Sequence, residues 1–214
     1  MPATESHVLV VFESHHGQSR KIAEYIADLA RRSGHLSRAL HVSLATRIAL
    51  ASYTAAVVVA PVHYARHPRS IRRYLRRRAN VLAKMPVALV SVSNSAVASD
   101  ARTRAEASRL AHELADEVAL KPAVVATAGG ALAYPRYNPL LRWVMRRIAA
   151  KAGAPTETSR THELTIWSEI DAALVPFFEA LPRPAPDATD AATRPRGRPS
   201  PGAVGDREAE HRSG

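Results

Sequence analysis

Ser14, His15, His16, Gly17, Gln18 and Ser19 follow directly on the apolar run Val8-Leu9-Val10-Val11-Phe12. Apolar residues resume at helical spacing at Ile22, Ala23, Ile26, Ala27, Leu29 and Ala30. A buried strand, a hydroxyl-rich turn and a helix start therefore share one short stretch. Such a turn gathers backbone N–H groups, two hydroxyls and the positive end of a helix dipole, the donors a phosphate monoester needs. Gly17 lets the backbone approach the anion closely. The alternative without chemistry is a strand–turn–helix capped by Ser19.

Neither Gly-x-Gly-x-x-Gly nor Gly-x-x-x-x-Gly-Lys-Ser/Thr occurs, so dinucleotide and P-loop chemistry are not indicated. His15, His16, His63 and His67 would make a metal cluster if their two loops met. No carboxylate pattern or second pair at ligand spacing accompanies them, and hydrogen-bonding loop histidines are expected instead, with no metal. Arg66, Arg69, Arg72, Arg73, Arg76, Arg77 and Arg78 form the densest charge run. It reads either as a solvated helix face or as a surface for acidic lipid headgroups. A nucleic-acid partner is not expected, because no reading motif or stacking platform accompanies the charge.

The elements that position these residues alternate. Strands are expected at 36–42, 55–61, 87–93 and 124–128 beside the first, with helices over 69–79, 101–119 and 167–181. That pattern predicts an α/β fold, a doubly wound five-stranded parallel sheet of order 2-1-3-4-5. Ligands of such sheets sit outside the carboxyl ends of the strands, where the loops after strands one, three and four converge.

Between strand five and the last helix lies an insertion, 129–160, that splits strand five; residues 161–166 are expected to resume it. Its Leu140, Leu141, Trp143, Val144, Met145 and Ile148, beside Arg142, Arg146, Arg147 and Lys151, read as a packed helix or an interfacial one. The folded domain is placed at 7–182. Residues 183–214, rich in Pro, Arg, Ala and Asp, are expected to be a disordered tail.

The 214 residues are 46% apolar, enough for a full core, and carry a net charge of +11. Anionic lipid, nucleic acid or a carboxylate-rich substrate are the physical candidates for partners of that charge. Cysteine is absent, which excludes disulfides and thiolate chemistry. No signal-peptide pattern is present, and no apolar run approaches the ~20 residues that span a bilayer. The expected location is cytoplasmic, with a peripheral position at the inner face of the cell membrane as the alternative.

The turn Ser-x-His-Gly-x-Ser resembles the Thr-x-Thr-Gly-x-Thr phosphate loop of flavodoxins, which with their FMN are a standing example of the strand-end rule above. From His7 to Leu181 the chain resembles the flavodoxin-type, menaquinone-dependent protoporphyrinogen oxidases. Phe12 with Gly17-Gln18-Ser19 and Ile22-Ala23 matches the first loop and helix of that family. Met85-Pro86 with Ser91-Val92 matches its fourth strand. Gly130-Ala131-Leu132-x-Tyr134-Pro135-Arg136-Tyr137 follows its signature at the start of the insertion, and Thr156-x-Thr158 and Trp167 match the far end.

The resemblance implies an FMN enzyme of haem biosynthesis that oxidises protoporphyrinogen IX to protoporphyrin IX, with a membrane quinone as acceptor. On that reading Ser14, His15, His16, Gly17, Gln18 and Ser19 hold the phosphate, and His63, Tyr64, Ser93 and Asn94 line the isoalloxazine ring. Ser91 and Thr158 join the cofactor set, and Tyr134, Arg136 and Tyr137 meet substrate. No side-chain acid or base is assigned. A flavodoxin-like electron carrier or a flavin-dead binding module is the competing class, although electron-carrier flavodoxins are generally acidic.

Overall fold

The computed structural model describes residues 6–151 and 153–182, so the expected tail at 183–214 lies outside the described residues. Strand β1 (His7–Phe12) leads into helix α1 (Gln18–Arg32), then β2 (Leu36–His41) and a single helical turn, α2 (Val42–Ala45). There follow β3 (Ala55–Pro61), α3 (Arg69–Leu82), β4 (Val87–Val92), α4 (Ala101–Glu117) and β5 (Val124–Ala128). These five strands form one parallel sheet of order β2-β1-β3-β4-β5.

The near-continuous apolar runs of β1, β3 and β4 follow from burial on both faces of a parallel sheet. Side chains alternate between those faces. Val8, Val10, Val57, Val59 and Val90 pack on Ile22 and Ile26 of α1 and on Leu174 and Phe178 of the last helix. Leu9, Val11, Val58 and Leu89 pack on Ile71, Tyr74 and Leu75 of α3 and on Leu114 of α4. The central strands are thus dry on both sides, and their carboxyl ends form one rigid edge.

The arginine run on α3 divides. Arg72 pairs with Glu117 of α4 at 2.8 Å, Arg76 bonds the same carboxylate, and Arg78 donates to the Thr46 carbonyl at 2.8 Å. Arg69, Arg73 and Arg77 remain exposed. Part of the run therefore ties α3 to its neighbours, and part faces solvent.

After β5 the chain departs from the expected split strand. Residues Ala131–Ala133 (β6) and Thr161–Glu163 (β7) pair antiparallel in a ribbon outside the main sheet. Segment 161–166 does not resume strand five; β5 stays the sheet edge. The Gly129–Gly130 link between β5 and β6 is the physical reason. A Cβ on Gly129 would lie 2.1 Å from the Leu164 carbonyl oxygen, so the return leg crosses directly over that glycine, and Leu164 N–H bonds the Gly130 carbonyl at 3.0 Å. Helix α5 (Pro139–Lys151) fills the insertion, and α6 (Trp167–Glu179) closes the fold. The insertion has its own small core of Leu132, Ala133, Tyr134, Tyr137 and Ala149, with Leu141, Met145 and Leu164 against it.

Candidate functional site

The carboxyl ends of β1, β3 and β4, roofed by the insertion, enclose a cavity of ≈ 630 Å³, a size usual for a small-molecule site. The loop after β1 contributes His15, His16, Gln18 and Ser19. The loop after β3 contributes His63 and Tyr64, and the loop after β4 contributes Ser93 and Asn94. The insertion adds Gly130, Ala131, Arg136, Tyr137, Asn138, Leu141 and Met145. Among the described residues no carboxylate lines this space, while Arg136 and three histidines do.

At one end lies the turn into α1. Gly17 precedes the helix at φ +99°, a left-handed conformation that glycine adopts without strain. Ser14 Oγ accepts from the N–H groups of Gly17 (3.1 Å) and Arg20 (3.3 Å). Ser14, and not Ser19, therefore supplies the hydroxyl that caps the helix start. The N–H groups of Gln18 and Ser19 have no acceptor among the described residues. Arg136 donates from Nη1 to the His16 carbonyl. A further strap runs from Gln18 Nε2 to Thr165 Oγ1 (2.7 Å), and from there to the Gly129 carbonyl (2.7 Å).

At the other end three imidazoles converge. Ring centroids are 4.7 Å apart for His15 and His16, 5.8 Å for His15 and His63, and 6.2 Å for His16 and His63, and Tyr137 stands 5.3 Å from His16. Burial, then the charges of His15, His63 and Arg136, hold the His16 pKa below its ordinary value. Burial and then His15 do the same for His63, against a smaller opposing pull from Glu13. His63 closes a tight hairpin with Arg66 (N–H to carbonyl 2.9 and 3.1 Å), and Tyr64 (φ 50°) and Ala65 (φ 56°) sit left-handed at its tip. Two non-glycine residues in that region cost about 1–2 kcal/mol each. The strained tip leaves Tyr64 89% exposed at the cavity mouth.

His67 does not join the others. It is buried, and its Nδ1 bonds the Pro61 carbonyl at 3.0 Å. Among the described residues no group of three His, Asp or Glu side chains is arranged to hold a metal ion.

Most of the residues singled out in the sequence line the cavity, and Ser14 and Gly17 shape the turn at its edge; besides His67, the residues Ser91, Tyr134 and Thr158 stand apart. Ser91 is fully buried within β4, behind the cavity wall. Tyr134 is fully buried in the insertion core, donates its hydroxyl to the Pro155 carbonyl at 2.8 Å and lies outside the cavity lining. Thr158 is half-buried on the return leg, outside the cavity lining. Conversely, Asn138, Leu141 and Met145 line the cavity without having been expected to. Helix α5 presents apolar residues on two faces: Leu141 and Met145 point inward, while Leu140, Trp143, Val144 and Ile148 are exposed. An i, i+4 reading of Leu141, Met145 and Ala149 as a separate stripe was the available signal.

The fold and the cleft together define a doubly wound α/β protein with a basic small-molecule site at the strand ends. The sequence profile of the Flavodoxin domain family matches residues 9–159, and the chain belongs to that family. It is similar to the protoporphyrinogen IX dehydrogenase (quinone) of Escherichia coli (strain K12), with 26% identity over 162 residues, 76% of this chain and 89% of that protein. The protein of the same name from Leishmania major is 25% identical over 179 residues, 83% of this chain and 77% of its own length. Among solved structures, the two-electron reduced flavodoxin of Megasphaera elsdenii covers 57% of this chain and 84% of its own at 16% identity and a TM-score of 0.43.

Membership of this family implies a flavin cofactor, and the cavity suits one. Ser93 Oγ and His63 Nε2 are buried polar atoms without a partner among the described residues, and both residues are on the cavity lining. Buried polar atoms are rarely left so, and a heteroatom-rich ring would satisfy them. Gly130 opens the wall beside them, since a Cβ there would lie 2.8 Å from Asn94 Oδ1.

Proposed function

We propose that this protein is an FMN-dependent dehydrogenase that oxidises protoporphyrinogen IX to protoporphyrin IX and passes the electrons to a membrane quinone. One observation carries the reading. An insertion that a bare flavodoxin sheet does not need turns Tyr137, Leu141 and Met145 into a cavity at the strand ends. An electron carrier gains nothing from such a roof, whereas an enzyme needs a walled space beside its cofactor for a large organic substrate. The names of the two relatives agree with it.

The turn Ser14–Ser19 holds the phosphate through the Gln18 and Ser19 N–H groups, with Ser14 keeping the turn in shape. His63, Tyr64, Ser93 and Asn94 border the ring. When bound, the flavin accepts the electrons; the protein supplies orientation and field. The imidazoles of His16 and His63, kept uncharged near neutral pH by burial, offer lone pairs to protons that leave the substrate, and His63 Nε2 is the atom without a competing partner. Tyr137, Leu141 and Met145 exclude water from the reacting faces. A lining that carries Arg136 and, among the described residues, no carboxylate favours an anionic substrate and a reduced, negatively charged cofactor alike.

No described helix is long and apolar enough to cross a membrane. Access to a quinone is instead assigned to the outer face of α5, where exposed Leu140, Trp143 and Ile148 stand beside Arg146 and Arg147. The tail at 183–214 is taken as an appendage that the 7–182 domain does without.

Anaerobic mixing of the purified protein with protoporphyrinogen IX and a menaquinone analogue tests the reading. Porphyrin fluorescence should rise with enzyme-dependent, quinone-dependent kinetics. FMN-loaded protein that gives no rise above the uncatalysed rate would return the chain to the electron carriers, and protein that binds no flavin to the binding modules.

A further inference from the structure

We infer that Arg136 is the counter-charge for the phosphomonoester of the bound flavin, so that the insertion, and not the parent sheet alone, completes the phosphate site. The inference rests on the flavin reading above and deepens it.

The N-terminus of the 15-residue helix α1 brings Gln18 and Ser19 N–H groups to the cavity without acceptors among the described residues. Arg136 stands beside them. Its Nη1 lies 3.3 Å from where a Cβ on Gly17 would be, and it donates to the His16 carbonyl. A neutral carbonyl leaves the guanidinium charge uncompensated, and no carboxylate pairs with Arg136 among the described residues. Four of its five N–H donors remain available. A tetrahedral dianion held by helix amides is the partner that a planar, bidentate donor at this place fits best.

The insertion holds that guanidinium in position. Arg142, from the first turns of α5, donates Nε to the Tyr134 carbonyl (3.1 Å) and Nη2 to the Tyr137 carbonyl (3.2 Å). Tyr137 N–H closes on the Tyr134 carbonyl at 3.1 Å, and the Tyr134 hydroxyl anchors the turn to Pro155. Arg142 thus spends Nε and Nη2 on backbone carbonyls of the insertion, while Arg136 gives one N–H to the His16 carbonyl and stands against the turn. The same cavity contains Ser93 Oγ, 92% buried by residue and unpartnered, which points independently to a ligand there. An oxyanion of the substrate, a propionate, is the other source of the same chemistry. It is disfavoured because the guanidinium lies at the turn, against Gly17, and not out along α5.

Two ligands that differ only in the phosphate separate these outcomes. Dissociation constants of FMN and riboflavin are read by flavin fluorescence quenching for the wild-type protein, Arg136→Ala and Arg136→Lys. Arg136→Ala should weaken FMN roughly 10- to 100-fold while riboflavin stays within about twofold. Arg136→Lys should recover part of the loss. Inorganic phosphate should raise the melting temperature of the flavin-free wild-type protein and not of Arg136→Ala. Equal loss for both flavins would mean a merely structural turn and would overturn the inference. So would unchanged FMN affinity with a raised KM for protoporphyrinogen, which would assign Arg136 to the propionate. If the wild-type protein takes neither flavin, the flavin reading itself falls, and the inference about the cofactor falls with it.

Discussion

The main sheet and the insertion bury apolar surface in opposite ways. In the sheet, β1, β3 and β4 are covered on both faces, and their side chains feed two packed layers that reach the cavity at Val92. In the insertion, a core of five buried residues supports a helix whose inner face lines the cavity and whose outer face is left to solvent. The sheet secures the fold by surplus burial. The insertion is held largely by specific polar bonds, among them Arg142 to two carbonyls, Tyr134 to Pro155, and Gln18 to Thr165. A region stabilised that way is free to expose apolar surface and to place charges next to a ligand. Chemistry here therefore concentrates where burial is thin.

The strongest way to break the comparison is to remove one region. Replacing 134–160 with a short Gly-Ser linker should leave a cooperative melting transition from the sheet and abolish quinone-linked porphyrin formation, because one wall of the cavity goes with it. Loss of the cooperative transition would mean that the insertion belongs to the fold. Circular dichroism melts alongside the fluorescence assay decide between the two.

A matched pair of cavities sharpens it. Leu89→Ala, at a position with no exposure in β4, should lower global stability by about 2–5 kcal/mol in denaturant titrations. Leu132→Ala, nearly as buried but in the insertion, should cost less globally and appear instead as faster hydrogen exchange over 131–164. Equal global losses would show one cooperative unit.

The exposed face of α5 gives an effect of intermediate size. The protein should co-sediment with anionic vesicles at low salt and leave them at high salt, since screening removes the attraction of exposed charges. Substituting Arg146 and Arg147 together by Glu should weaken that association by tenfold or more, at about 1 kcal/mol per basic residue near the headgroups. Melting temperature should stay unchanged, because both side chains are exposed. Sedimentation indifferent to salt and to the substitution would give the stripe no membrane role.

The smallest effect is a pH slope from the cavity's own histidines and from His67. Burial, first among the causes, holds His16, His63 and His67 below their ordinary 6.5. Between that value and the lower folded pKa the unfolded chain binds protons that the folded chain does not. Stability is then full above about pH 6.5 and falls as pH drops below it. Melting temperatures measured from pH 7.5 down to 5.5 should decline, and His63→Gln should flatten part of that decline. A flat wild-type profile would mean the imidazoles protonate freely in the folded protein.

Much of the fold was legible because its signals are local. Apolar runs of β-branched residues ending in polar loops mark β1, β3 and β4, and amphipathic periodicity marks α1, α4 and α6 within a few residues. The strand order followed from handedness and from the resemblance. The turn at Gly17 was legible for the same reason, since one glycine between hydroxyls carries its geometry with it.

What only the tertiary structure decided are relations across distance. Residues 161–166 look like the second half of a strand, yet Thr161–Glu163 pairs with Ala131–Ala133, because the Gly129–Gly130 link lets the return leg cross at Leu164 directly against Gly129. Ser91 and Tyr134 have the right types for a site, but Ser91 stays buried within β4 and Tyr134 within the insertion's own core, both outside the cavity lining. The apolar residues of α5 divide between a cavity and solvent, a division that hydropathy alone does not encode. The sequence by itself determined a parallel α/β sheet, an anion-binding turn and a basic surface. Packing determined which loops meet, because a side chain's neighbours depend on the path of the whole chain and not on its spacing along it.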